Sequence, residues 1–231
     1  MLKKSTKLIL AIFAVVALIL ISVIGLLALG LWQSENTGDE EKAVKLAPIT
    51  SRDHLRGNLA APIVIVEFAD LECPYCKEFH ATLKRIVNEY PGKVAWIYRH
   101  YPVDSLHAKA RKEAEAAECA AELGGNEKFW QYIDFVFSVT SSNDGLDAKQ
   151  LPEIATAIGL NREKFSACLT SGKYAAKIEN DLEQALIAIG DGRQGTPYSV
   201  VIVAGKTIPV SGVPAYEQLK TAIDSILGAI K

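Results

Sequence analysis

The stretch IVIVEFADLECPYCKEFHATLKRIVNEYP, Ile63 to Pro91, sets two different periodicities end to end, with two cysteines at the join. Ile63 to Val66 is an unbroken β-branched run, which marks a strand covered on both faces in the middle of a sheet. From Cys76 the apolar positions are Phe79, Leu83, Ile86, Val87 and Tyr90, spaced by threes and fours, and Pro91-Gly92 ends the pattern. The cysteine pair therefore stands where a central strand hands over to a helix.

That position has chemical consequences. Only a thiolate attacks a disulfide, and the unpaired N–H groups at a helix N-terminus favour the anion. Cys73 falls at the helix cap, and Pro74 at the first helical position costs nothing because its N–H would be unpaired there. Cys76 lies one turn in and points inward with Phe79. These placements make Cys73 the attacking thiol, with a pKa expected at ~3.5–7.5, and Cys76 the resolving one. Zinc is the rival reading, with His80 completing C-x2-C-x3-H. A closed site takes four ligands, however, and the next cysteine, Cys119, lies in another predicted helix. No metal or cofactor is expected; two inert thiols are the plain alternative. His80 either tunes the thiols or is a structural residue at the edge of the helix face. Glu67 interrupts a buried strand, which is costly without a role or a partner; it is a proton acceptor for Cys76 or one half of a salt bridge.

Outward from this centre, Val94–Tyr98 reads as a second strand. Helical patterns follow at about His107–Leu123, closed by Gly124-Gly125, then Glu127–Val136, Ala148–Ile158, Arg162–Leu169 with Asn161 as cap, and Tyr174–Ile189. Tyr198–Val203 and Lys206–Val210 form a hairpin around Ala204-Gly205, and Ala215–Ile230 is a last helix. The fold class is one α/β domain with a helical insertion at about 107–189.

The first fifth of the chain is different. Between Leu8 and Trp32 there is no charge and only Ser22 is polar, so about 25 residues at ~1.5 Å each reach ~37 Å, more than a ~30 Å hydrocarbon layer. The ALG at Ala28–Gly30 resembles a cleavage site, but signal cores run about 7–15 residues, so the segment reads as a retained transmembrane anchor. Lys3, Lys4 and Lys7 precede it and Glu35, Asp39, Glu40 and Glu41 follow it, which puts residues 1–7 in the cytoplasm and the rest outside. Residues 33–48 read as a polar tether and residues 49–231 as the domain. Four cysteines facing an oxidising compartment suit disulfide chemistry. A net charge of −2 with no basic cluster beyond the N-terminus excludes nucleic acid as a partner. Cys119 and Cys168 each lie on an apolar helical stripe within the insertion; as inward cysteines without other partners they read as a structural disulfide, two separate buried thiols being the alternative.

The segments PIVIVEFADLECPYC, HAKARKEAEAAECAAELG, FW (Phe129, Trp130), FSACLTSGKY and GTPYSVVIVAG, in this order, resemble the DsbA-like thioredoxin-fold thiol-disulfide oxidoreductases in their membrane-anchored bacterial form. The resemblance covers about residue 50 to the end and supports the Cys119–Cys168 disulfide. It implies that Pro197 is a cis proline facing the redox pair, that Thr196 offers backbone groups to an extended substrate segment, and that Glu67 is the family's buried acid. It also implies an oxidase acting outside the cytoplasm on exported protein thiols, with reoxidation by a membrane redox partner, quinone-linked or similar. The dipeptide Pro74-Tyr75 departs from the Pro-His pair of the strongest oxidant and leaves open a reductase or isomerase kept reduced by a membrane electron donor. A tethered chaperone without redox turnover is a further alternative.

Overall fold

Ile63–Ala69 becomes a central strand because both its neighbours and both its faces are occupied. The computed structural model describes residues 44–190 and 195–230. Its strands are β1 (His54–Arg56), β2 (Ile63–Ala69), β3 (Val94–His100), β4 (Tyr198–Val203) and β5 (Lys206–Ser211), in the order β1-β3-β2-β4-β5. β2 runs parallel to β3 and antiparallel to β4, and every residue of β2 and β3 is buried. In this register Glu67 stands beside Tyr98 on one side and Ser199 on the other.

The helices are α1 (Pro74–Glu89), α2 (Ala110–Val139), α3 (Gln150–Ala157), α4 (Arg162–Ser171), α5 (Ala175–Ile189) and α6 (Tyr216–Ala229). Alternation along β2 divides the core. Ile63, Ile65 and Ala69 pack with Phe79, Leu83 and Ile86 of α1, with Phe129 and Ile133 of α2 and with Leu219 and Ile223 of α6. Val64, Val66 and Phe68 pack on the other face with Ala185 and Ala188 of α5. The result is a mixed α/β, thioredoxin-like fold whose helical insertion runs from α2 to α5.

The expected break at Gly124-Gly125 is a kink within α2. Gly124 has φ −153° and Gly125 has φ 74°, the latter in the left-handed region that favours glycine. Asn161 caps α4 as expected, its Oδ1 accepting from Lys164 N at 2.8 Å, and Gly172 ends the helix with φ 63°. Cys119 of α2 and Cys168 of α4 are joined by a disulfide, 49 residues apart in sequence.

Two features were not foreseen. β1 has no periodicity to betray it; it is held by distant groups, with Asn126 donating to Leu55 O at 2.6 Å and accepting from Leu55 N at 3.1 Å. Residues 44–48, read as the end of a tether, lie on the domain: Val44 and Leu46 pack against the second core layer, and Arg99 donates to Ala47 O and Pro48 O. Among the described residues no helix is long and apolar enough to cross a membrane. The expected span at Leu8–Trp32, and the tether up to residue 43, lie outside the described residues.

Candidate active site

β2 ends at Ala69 and a three-residue turn, Asp70-Leu71-Glu72, delivers the chain to α1. Cys73 is the helix cap in extended conformation (φ −78°, ψ 123°) with Pro74 at the first helical position. Its N–H donates to Asp70 O at 3.2 Å and its carbonyl accepts from Lys77 N at 3.1 Å. Cys76, one turn on, is fully buried, and its Sγ accepts the Asp70 N–H at 3.4 Å. Both cysteines are free thiols. Opposite the helix start lies the Thr196-Pro197 bond, which is cis, and Cys73 Sγ approaches Thr196 O at 3.4 Å. Pro74 and Tyr75 face solvent, Tyr75 with 64% of its surface exposed.

The surroundings split the two thiols apart. Hydrogen bonding from the Cys76 thiol, aided by the Thr196 side chain and by the N–H groups of Cys76 and Tyr75, lowers the Cys73 pKa to about 6 against the opposing effect of burial. Burial, with the neighbouring charges of Cys73 and Glu67, pushes Cys76 well above the usual thiol range. At neutral pH the pair therefore holds one thiolate, on the outer sulfur.

Glu67 is buried beneath this pair. Its Oε2 accepts from Trp96 Nε1 at 2.9 Å, while Oε1 and the neighbouring Ser199 Oγ make no hydrogen bond. Burial raises its pKa to about 8, Trp96 opposing and the Cys73 charge adding. Among the described residues no cation pairs with it, so the salt-bridge alternative does not describe this carboxyl. His80 is elsewhere engaged. Its Nε2 lies 2.6 Å from Asp134 Oδ1, its ring packs on Trp96 and Phe137, and Arg56 and Lys84 complete the cluster at Asp134. These contacts tie it to the fold, and among the described residues no group of three His, Cys, Asp or Glu is placed to hold a metal ion.

Asp70, Glu72 and His107 carried no assignment from sequence, yet they surround the turn. Asp70 accepts from Glu72 N at 2.8 Å through Oδ1, and through Oδ2 from Val103 N at 2.7 Å, with His107 Nδ1 at 2.9 Å. Glu72 accepts from Gly145 N and Leu146 N, both at 3.2 Å. Glu113 is pushed up to about 9 by burial and by its hydrogen bond to Glu72, so at neutral pH it is the protonated donor. The alternation of two acids around Leu71, immediately before Cys73, was the available signal; apart from the Glu72 N–H on Asp70, their partners are 33 or more residues distant.

A thioredoxin family model matches residues 50–225. Among solved structures, DsbA2 of Pseudomonas aeruginosa is 30% identical, covering 79% of this chain and 97% of that one with a TM-score of 0.62. Wolbachia pipientis α-DsbA1 is 26% identical, covering 80% and 94% with a TM-score of 0.66. Bacillus subtilis BdbD, at 21% identity, covers 80% and 98% and shares the fold with a TM-score of 0.67. A sequence relative, the Na(+)/H(+) antiporter NhaA 3 of Salinispora tropica, is 34% identical over 134 residues, 58% of this chain and 20% of that protein. The chain thus spans about a fifth of the length of the curated relatives it matches. Fold, family and the Cys73–Cys76 geometry converge: the chain belongs to the thioredoxin family, and within it is a DsbA-like thiol-disulfide oxidoreductase.

Proposed function

We propose that the protein is an extracytoplasmic oxidase that introduces disulfides into exported proteins, and the observation that carries this is the divergence of its two thiols, Cys73 at about 6 and Cys76 far above. In the oxidised enzyme a substrate thiolate attacks Cys73 Sγ. The Cys73–Cys76 bond breaks, and Cys76 leaves and takes up a proton, for which Glu67 is the adjacent acid. A second substrate thiolate then attacks the substrate sulfur of the mixed disulfide and Cys73 leaves as a stable thiolate. Two electrons pass from two substrate thiols to the enzyme, and a low leaving-group pKa favours that direction.

Thr196 and Pro197 would receive an extended substrate segment beside Cys73. Exposed Tyr75, between the two cysteines, supplies apolar surface beside the thiol. A quinone-linked or similar membrane partner would reoxidise the pair. The Leu8–Trp32 segment would hold the domain on the outer face of the cytoplasmic membrane in single-pass fashion, its N-terminus inside. Neither nucleic acid nor a cofactor has a part in this reading, and Cys119–Cys168 serves stability alone.

One observation favours a second reading. A Cys73 pKa of about 6 lies nearer the ~7 of thioredoxin than the ~3.5 of a strong oxidant, which suits a reductase or isomerase. Equilibration with glutathione, together with the Cys73 titration, decides between them. An oxidase should lie well above the thioredoxin potential; a value near −270 mV would sink the oxidase reading. Retention of biological function by Cys73→Ala would point instead to a tethered chaperone.

A further inference from the structure

The chain has four histidines, and each is buried against a carboxylate: His54 and His100 on Glu118, His80 on Asp134, His107 on Asp70. The first three pairs tie elements of the fold together. The fourth differs, because its carboxylate belongs to the residue whose backbone touches both redox cysteines. Asp70 N–H donates to Cys76 Sγ at 3.4 Å and Asp70 O accepts from Cys73 N at 3.2 Å.

The segment bearing His107 is laid against the strand end by several ties. Tyr101 N donates to Ala69 O at 2.8 Å, Val103 N to Asp70 Oδ2 at 2.7 Å, and His107 N to Val103 O at 2.9 Å. Imidazole and carboxylate then meet at 2.9 Å beneath the cap of α1.

We propose that His107, fixed by Asp70, is a positioning residue of the redox pair: as an imidazolium it supports the Cys73 thiolate of the reduced enzyme and so sets how strongly the disulfide oxidises. This rests on the reading of Cys73 as the attacking thiol. Reduction adds two electrons and, with Cys73 left as thiolate, one proton, on Cys76; the uncompensated negative charge falls within electrostatic reach of His107. Burial works against the imidazolium, but the Asp70 bond and charge, the Cys73 charge and the Asn143 side chain together raise its pKa. Glu113, protonated at neutral pH, feels the charges of Asp70, Glu72 and Lys109, and the Lys109 Nζ donates to Asp144 O and Leu146 O.

Coupling between two sites is reciprocal. If His107 stabilises the thiolate, the His107 pKa is higher in the reduced protein than in the oxidised one, while His80 and His100 hardly respond. Nuclear magnetic resonance titration of the histidine rings in the full chain, in both redox states, tests this without any variant. Equal His107 pKa values in the two states would overturn the inference. In His107→Gln the Cys73 pKa should rise, and the equilibrium constant with glutathione should shift about tenfold toward the reducing side, ~30 mV. His107→Lys should stay close to the parent. A folded His107→Gln with unchanged Cys73 pKa and equilibrium constant would reduce His107 to a loop anchor; if that variant does not fold, the titration of the parent protein decides. Failure of the underlying reading looks different: the parent itself would then show no low Cys73 pKa and no turnover of a dithiol peptide.

Discussion

The two cysteine pairs of this domain use the same side chain to opposite ends. Cys73 and Cys76 sit three apart at a helix start, among backbone donors, a threonine and a buried acid, and stand as free thiols. Cys119 and Cys168 sit 49 apart on apolar faces of α2 and α4 and are bonded. Polar, asymmetric surroundings make one pair's two sulfurs unequal and therefore reactive. The other pair, bonded on largely apolar helix faces with only Glu122 Oε2 at 3.8 Å from Cys168 Sγ, is left to hold.

Cys73→Ala should lower the rate of dithiol peptide oxidation by ~10³-fold or more, with little change in the denaturation midpoint. The double change Cys119→Ala, Cys168→Ala should do the reverse. It frees a 49-residue loop and should cost about 2–4 kcal/mol of stability in urea titrations while leaving the Cys73 pKa in place. Loss of redox activity in that folded double variant would contradict the separation of roles.

Glu67 sharpens the contrast because it belongs only to the reactive pair. Its pKa is about 8 in the folded protein against 4.5 for the free side chain. Between these values the folded state binds more protons than the unfolded one, so stability falls as pH rises through that window. Glu67→Gln should flatten the fall, an effect on the order of a few kcal/mol, and slow release of Cys76 about tenfold. An unchanged stability profile would mean that the carboxyl is already ionised at neutral pH. The smallest effect is expected from Tyr75→His, which places an imidazole, partly cationic near neutral pH, at the exposed position between the two cysteines. Screening by solvent limits the change to less than about tenfold in the glutathione equilibrium, upward in oxidising power.

Reading the sequence succeeded where the physics is local. The β-branched run of β2, the three-four spacing of α1 and the proline after Cys73 state their structure within a few residues. The stripes carrying Cys119 and Cys168 did so nearly as well. It failed where burial is decided at a distance. β1 depends on Glu118, Asn126 and Asp134, 64 to 78 residues away. Asp70 and Glu72 look like turn acids until Val103, His107, Gly145 and Leu146 close over them. His80 could not be assigned until Asp134 was placed.

β1 covers the outer edge of β3, and Asn126 fills both hydrogen-bonding positions of Leu55, which another chain would otherwise use. At the opposite edge β5 carries Pro209, which lacks an N–H, and Lys206. A domain proposed to work on unfolded, extended chains thus denies them its sheet borders as templates for aggregation.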